Sequence, residues 1–166
     1  MPFTPLHMGP GIAVKAVMQR QFSLMVFGWS QIVIDLQPLF VMITGKGELH
    51  GFSHTYIGAT LIGLFCALSG KYLGELGLRI IREPQHLPIS WPVAFISAFI
   101  GTYSHVAIDS IMHADIQPFA PFSTNSVWHG IISIEALHAW CVASAVIGGL
   151  IYYVTNRKIR KSPEAL

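Results

Sequence analysis

Residues 105–113, His-Val-Ala-Ile-Asp-Ser-Ile-Met-His, contain three side chains that can bind a metal ion. His105, Asp109 and His113 recur at every fourth position, so on a helix they share one face. Imidazole nitrogen and carboxylate oxygen suit zinc, manganese or iron, and three or four such ligands with an open position suit catalysis. The segment is apolar enough to cross a membrane, where ionisable groups are costly. It therefore predicts a functional site that faces the protein interior.

The composition indicates an integral membrane protein. Of the 166 residues, 52% are hydrophobic and 11% are charged, whereas soluble domains carry about a quarter charged residues. The net charge is only +2, and no basic stripe is interleaved with aromatic residues, so we expect no nucleic-acid partner. Cys66 and Cys141 lack the spacing of a zinc thiolate site and are expected to be buried or lipid-facing.

Four apolar segments reach or approach the length that a hydrocarbon core of about 30 Å requires. They lie at residues 22–44, 55–73, 89–112 and 128–155. A shorter apolar segment at residues 11–19 follows Pro10 and predicts a half-depth or interfacial helix. We therefore predict one all-α membrane domain over residues 1–166, a polytopic helix bundle with four transmembrane helices plus a short N-terminal helix.

The basic residues predict the orientation, because loops rich in Lys and Arg stay in the cytoplasm. They fall on one side of the four spans: Arg20, Lys71, Arg79, Arg82 and the cluster at residues 157–161. We expect a multi-pass protein of the inner (plasma) membrane with a cytoplasmic C-terminus. The loops at residues 45–53 and 114–126 then face outward.

This orientation brings distant polar residues to one depth, in the outward half of the membrane or at its outer surface. They are Asp35, His50, His54, His105, Asp109, His113 and His129. We expect one divalent ion held by His54, His105 and Asp109, with Asp35 as a further ligand. Gln31 shares a helix face with Asp35 and is expected to support it.

The remaining candidates surround this predicted metal site. Asp35, if it is not a ligand, or His113 would act as general base, and His50 or His7 as acid or oxyanion partner. His7, Asp115 and His129 are candidates for contact with substrate. Ser53 is expected to cap the second span.

Two other functions use the same residues. Buried carboxylates and histidines could relay protons or pass a metal ion, which predicts polar residues in both halves of the membrane. The inner half offers few of them. A non-catalytic protein with a structural metal predicts a closed coordination shell without an open position.

The motif order resembles the YdjM-like family, also called LexA-binding, inner-membrane-associated hydrolases. The resemblance covers roughly residues 4–125. It rests on Asp35 near Pro38, on His-Gly-Phe-Ser-His-Thr at 50–55 and on Ser-His-Val-Ala-Ile-Asp at 104–109. The last element is also similar to one in zinc-dependent phospholipase C. Family members often carry a second acidic residue before the proline and an arginine after the first histidine, where this chain has Gly51.

What the resemblance implies is a metal-dependent hydrolase. By position it implicates a set of site residues: Asp35, His50, His54, His105 and Asp109. The ion, with zinc as the expected metal, would lower the pKa of bound water to about 7 for attack on an ester or phosphoester. A site at this depth is reached from the bilayer, so the expected partners are membrane lipid and a lipid-like or lipid-linked substrate.

Overall fold

The computed structural model describes the backbone of residues 5–161 and the side chains of residues 5–156. Within this part, six α-helices are joined by turns and short 3-10 segments, and the all-α prediction is confirmed. The helices are α1 (Met8–Met18), α2 (Leu24–Ile34), α3 (Leu36–Thr44), α4 (Tyr56–Ile80), α5 (Trp91–Met112) and α6 (Ile134–Lys161). The side chains of the basic cluster at 157–161 lie outside the described set.

Four helical stretches are long and apolar enough to cross a membrane, as predicted. They are Leu24–Thr44 (α2 with α3), Tyr56–Ile80, Trp91–Met112 and Ile134–Asn156. Large apolar side chains stay exposed along their outer faces, for example Leu61 and Phe65 on α4 and Val146 and Leu150 on α6. Water-soluble monomers rarely expose extended apolar faces of this kind. The chain therefore has the make-up of a multi-spanning membrane protein.

The first span is interrupted, whereas a single helix was predicted over residues 22–44. Helix α2 ends at Ile34 and α3 begins at Leu36, with Asp35 between them at φ −83° and ψ −1°. Pro38 accounts for the break, because its ring clashes with the carbonyl four residues earlier, here that of Ile34. The interruption leaves Asp35 buried, with 5% of its surface exposed.

Helix α4 is longer than the span predicted at residues 55–73. It continues to Ile80, beyond the predicted end at residue 73. Lys71 Nζ donates to Glu75 Oε1 at 2.5 Å, and the same oxygen accepts from the Ile89 amide at 3.1 Å. These contacts stabilise the polar end of the helix after its apolar segment has ended.

Helix α6 begins six residues later than the span predicted at 128–155. The preceding segment forms a turn in which Gly130 has a φ of +74°. The Gly130 amide donates to the Ile111 carbonyl at 3.1 Å, which ties this turn to the end of α5. Ser133 Oγ then caps α6 by accepting from the Ala136 amide at 3.2 Å.

The helices pack as a three-helix core with a helix pair beside it. Helix α2 packs on both α4 and α5, α4 packs on α5, and α1 packs mainly on α6. Val26, Ala67 and Ala98 are fully buried where α2, α4 and α5 meet. The Trp29 indole donates to Ser69 Oγ at 3.0 Å and links α2 to α4. This core fixes the position of the end of α2 relative to the start of α4 and the end of α5.

The contact between α1 and α6 depends on Gly148. A Cβ atom there would lie 2.6 Å from the Ala13 Cα atom, whereas a Cβ on the adjacent Gly149 would meet nothing within 4 Å. We expect Gly148→Val to destabilise the protein by about 1–3 kcal/mol, the usual range for overpacking. Gly149→Val is the matched control, since it makes the same helix substitution on an open face. Equal losses of thermal stability in detergent would contradict the observed packing.

Candidate metal centre

Acidic and histidine side chains from three parts of the chain meet near the first residues of α4 and the last turns of α5. Asp35 comes from the break between α2 and α3, His54 from the turn before α4, and His105 and Asp109 from α5. One potential ligand atom from each lies within 4.8 Å of the others, and all four residues are buried. We call these four residues the first group. They are the residues proposed as ligands from sequence, and together they could hold a metal ion.

His54 is positioned by a 3-10 turn, Phe52–His54. Ser53 does not cap α4 as predicted; Thr55 does, because its Oγ1 accepts from the Gly58 amide at 3.0 Å. Ser53 Oγ instead lies 2.9 Å from His54 Nδ1. The Nδ1 edge of the ring is therefore held by Ser53, and its Nε2 edge is directed at the carboxylates.

The spacing of these atoms fits a coordination shell. His105 Nε2 lies 3.2 Å from both Asp35 Oδ1 and Asp109 Oδ2. His54 Nε2 lies 3.4 Å from Asp109 Oδ2 and 3.8 Å from Asp35 Oδ1. Two ligands about 2.0–2.1 Å from a tetrahedral zinc ion are themselves about 3.3–3.4 Å apart. Hydrogen bonds from nitrogen to oxygen are mostly shorter, at about 2.9–3.0 Å.

Several buried polar atoms at this position have no hydrogen-bond partner. They are Nε2 of His7, His54 and His105, and Oδ1 of Asp109. Buried polar atoms are nearly always paired, and each unpaired one costs about 1–3 kcal/mol. A cation among the imidazole nitrogens and the carboxylates would satisfy such atoms together, so the donor set fits a metal ion.

Gln31 fixes the tautomer of His105. Its Nε2 donates to the Gly101 carbonyl at 2.9 Å, which leaves its Oε1 to accept from His105 Nδ1 at 2.9 Å. A neutral imidazole with its hydrogen on Nδ1 carries a lone pair on Nε2. That lone pair would face two carboxylates, which is unfavourable unless a metal ion or a proton lies between them. The sequence predicted that Gln31 supports Asp35, whereas in the structure its side-chain amide contacts the Nδ1 edge of the His105 ring.

This arrangement predicts the effect of Gln31→Leu. Removal of the hydrogen bond behind a histidine ligand usually lowers metal affinity by about 10–100-fold. We expect this loss in competition titrations against a chromophoric chelator, with the fold retained. Gln21→Leu is the control, because Gln21 is exposed and lies in the segment between α1 and α2, outside both α2 and the first group. An unchanged affinity in Gln31→Leu would show that this amide does not orient a ligand.

His7, which the sequence indicated as a candidate for contact with substrate, lies beside the first group. Its Nε2 is 3.3 Å from Asp109 Oδ1, and only 3% of the residue is exposed. Burial, partly offset by the Asp109 carboxylate, lowers the pKa of His7 to about 4. Burial also lowers the pKa of His54. Both imidazoles are therefore neutral near pH 7 and offer lone pairs.

A second group consists of His50, Asp109 and His113. One ligand atom of each again lies within 4.8 Å of the others. His50 Nδ1 lies 2.9 Å from Asp115 Oδ2. Burial would raise the pKa of Asp115, but favourable interactions, the largest of them the hydrogen bond with His50, together outweigh it and lower that pKa. The predicted residues His50, His113 and Asp115 thus lie next to the first group.

His129 is not brought to the centre. It is exposed in the turn before α6 and belongs to neither group. Its predicted position depended on a helix starting near residue 128, whereas the turn at Gly130 delays the start of α6 to Ile134. Among the described residues, the structure gives His129 no place at the candidate site.

An apolar cavity of about 480 Å³ opens onto the first group. His7, Asp35 and His105 line its polar end, and Leu24 and Leu73 line its far end. The residues from Leu24 to Asp35 rise by about 16 Å along α2, at 1.5 Å per residue. The cavity can therefore hold an apolar chain whose polar end reaches the first group.

Comparisons with known proteins do not assign a family. No family model matches this chain, and no solved structure matches it. The chain is similar to the DNA repair protein RecO of Acidovorax ebreus (strain TPSY), with 37% identity over 81 residues. The similarity covers 45% of this chain and 31% of RecO. Since the chain spans less than a third of that protein, the likeness does not carry its activity over.

Proposed function

We propose that this protein is a membrane-embedded, metal-dependent hydrolase acting on an ester or phosphoester of a lipid or lipid-linked substrate. The observation that carries the proposal is the convergence of unpaired imidazole and carboxylate atoms in the first group. The apolar cavity that ends at these atoms supports a lipid substrate. The resemblance to YdjM-like hydrolases points in the same direction.

His54, His105, Asp109 and Asp35 would hold the ion, and zinc is the metal we propose for this nitrogen and oxygen set. A bound divalent ion supplies a water pKa near 7 and polarises the scissile carbonyl or phosphoryl group. His7 lines the cavity, and its Nε2 lacks a hydrogen-bond partner. It is the neutral imidazole best placed to hold or move a proton beside the scissile group.

The proposed orientation places the centre toward the outer face of the inner membrane and the C-terminus in the cytoplasm. The centre lies near the first residues of α4, whereas Arg79 ends that helix and Arg82 follows it. Arg20 likewise follows α1, while His7 precedes that helix. Basic residues favour the cytoplasmic side. A substrate from the outer leaflet would then reach the centre laterally.

Transport is less well supported than hydrolysis. An ion that left the centre through the cavity would pass Leu24, Met25, Trp29 and Leu73. These side chains offer no oxygen ligand that could replace a hydration shell. The same apolar lining of the cavity suits an acyl or isoprenoid chain. Burial of such a chain is favourable by about 0.8 kcal/mol for each methylene group.

The test combines metal analysis with a substrate panel. Tag-free protein in detergent is analysed for metal and then assayed on long-chain and short-chain lipid phosphates and carboxylic esters. We expect stoichiometric metal and turnover in the wild type, and loss of both in His54→Ala. The control His129→Ala alters an exposed histidine outside both groups. Metal-loaded protein that cleaves no member of the panel would overturn the hydrolase proposal, and folded, metal-free wild type would overturn the metal centre.

Chain-length selectivity should depend on Gly28, which lines the cavity. A Cβ atom there would meet only Met8 side-chain atoms, at 3.6 and 3.7 Å. Gly28→Leu should therefore fold and project into the cavity. Displacement of about two methylene groups of substrate would raise KM for long-chain substrates by about 10-fold. Short-chain substrates and metal content should be unaffected.

Gly149→Leu is the control for this prediction, because Gly149 has nothing within 4 Å of its Cβ position and lies outside the cavity lining. It should leave the ratio of long-chain to short-chain KM unchanged. If Gly28→Leu also leaves that ratio unchanged, the acyl chain does not occupy this cavity.

A further inference from the structure

We infer that this chain has a second cation site, formed by His50, His113 and Asp109, with Asp109 shared between the two sites. The centre would then hold two ions. This inference deepens the proposed function and depends on it for the first ion. The sequence led us to expect one ion, whereas the positions of His50 and His113 argue for another.

The geometry of the second group is that of converging ligands. Its three potential ligand atoms lie within 4.8 Å of one another. The rings of His50 and His113 lie 4.3 Å apart at 30° to each other. The His50 ring also lies 5.0 Å from the ring of His54, a member of the first group. The two groups are therefore neighbours.

Asp115 supports His50 in the way that carboxylates support histidine ligands. The Asp115 Oδ2 atom lies 2.9 Å from His50 Nδ1, so this edge of the ring can donate its hydrogen to the carboxylate. The lone pair is then on Nε2, the tautomer found in carboxylate–histidine–metal arrangements. Only 5% of the His50 side chain is exposed, whereas the Asp115 side chain is 55% exposed. Asp115 can thus orient the ring while keeping its own charge hydrated.

Asp109 has an oxygen available for a second ion. Its Oδ2 is directed at His54 and His105, at 3.4 and 3.2 Å. Its Oδ1 is buried, has no hydrogen-bond partner and lies 3.3 Å from His7 Nε2, which also has none. A carboxylate in this position can bridge two cations, as in two-metal hydrolytic sites whose ions are about 3.5–4 Å apart.

The two sites differ in charge. Asp35 and Asp109 both belong to the first group, whereas the second group adds only imidazoles to the shared carboxylate. We therefore expect the second ion to bind more weakly and to exchange faster. A two-ion clamp stabilises the attacking and leaving oxygens of an in-line displacement. It therefore favours the phosphoester among the proposed substrates.

The test is the metal stoichiometry of tag-free protein equilibrated with Zn²⁺ and analysed by mass spectrometry. We expect two ions per chain in the wild type and in the control His129→Ala. We expect one ion in His50→Ala and in His113→Ala. Protein loaded with Mn²⁺ should show a coupled electron paramagnetic resonance spectrum that becomes the spectrum of isolated Mn²⁺ in both variants.

Asp115→Asn provides a milder variant if either alanine variant fails to fold. It keeps both histidines and should weaken only the second ion, by about 10–100-fold. One ion in the wild type, unchanged in His50→Ala and His113→Ala, would overturn the second site and leave the proposed function standing. Two ions that persist in all three variants would overturn these residues as ligands. No ion in folded wild type would overturn both proposals.

Discussion

Asp109→Asn should remove bound metal from the protein and reduce hydrolysis to background, the largest effect we expect from a single substitution. Asp109 belongs to both groups, and its Oδ2 lies 3.2 Å from His105 Nε2 and 3.4 Å from His54 Nε2. Asparagine keeps the shape but removes the charge, which leaves Asp35 as the only carboxylate of the first group. The measurement is metal content by mass spectrometry, with turnover followed in parallel.

Two substitutions serve as controls for this prediction. Glu48→Gln removes a carboxylate charge from an exposed residue outside both groups, and it should leave metal and activity unchanged. Asp115→Asn removes a carboxylate that contacts His50 rather than the first group, so the first ion should stay. If Asp109→Asn kept stoichiometric metal, neither group as described could be the binding site.

The residues of the first group could be predicted because two kinds of information agree on them. The spacing of His105 and Asp109 gives a shared helix face, and the order of the spans gives a common depth for Asp35 and His54. Neither depends on knowing how the helices are rotated against one another. The role of Gln31 does depend on that rotation, because its partner, His105, lies on another helix. The sequence therefore placed Gln31 near the site but beside the wrong side chain.

The ends of the helices were predicted less well. Hydropathy indicates which residues can lie in the hydrocarbon core, but a helix can continue beyond those residues or begin after the first of them. Helix α4 continues to Ile80 after its apolar segment has ended, held by Lys71 and Glu75. Residues 127–133 remain largely apolar and yet form the turn at Gly130. That glycine signals a turn, but a glycine within an apolar segment is also common in transmembrane helices. The misplacement of His129 follows from this ambiguity.

The break at Asp35 is indicated by the sequence, because Pro38 lies three residues after it. Pro38 disfavours a helix through the residue four positions earlier, which is Ile34. The structure shows the consequence, because the helix stops there and Asp35 is buried at the interruption. Non-helical backbone at membrane depth is tolerated where it is buried in protein or lines a cavity. The proline and the aspartate are therefore parts of one feature that interrupts the helix at the first group.

Removal of metal from the wild type should lower its thermal stability in detergent. Without a cation, the Asp35 and Asp109 carboxylates both face the lone pair of His105 Nε2, each at 3.2 Å, in a buried position. A ligand present at a thousand times its Kd contributes about 4 kcal/mol of folding free energy. At about 2–4 °C per kcal/mol for a chain of this size, chelation should lower Tm by about 10 °C. Added Zn²⁺ should restore it.

The decisive comparison is the same chelator added to Asp109→Asn. This variant should already lack metal, so its Tm should not respond to the chelator or to Zn²⁺. An equal shift in both proteins would mean that the chelator acts elsewhere, for example on the detergent or on surface histidines. No shift in the wild type would mean that the buried carboxylates are neutralised by protons. In that case the first group would be a proton-binding network, the arrangement that a proton relay requires.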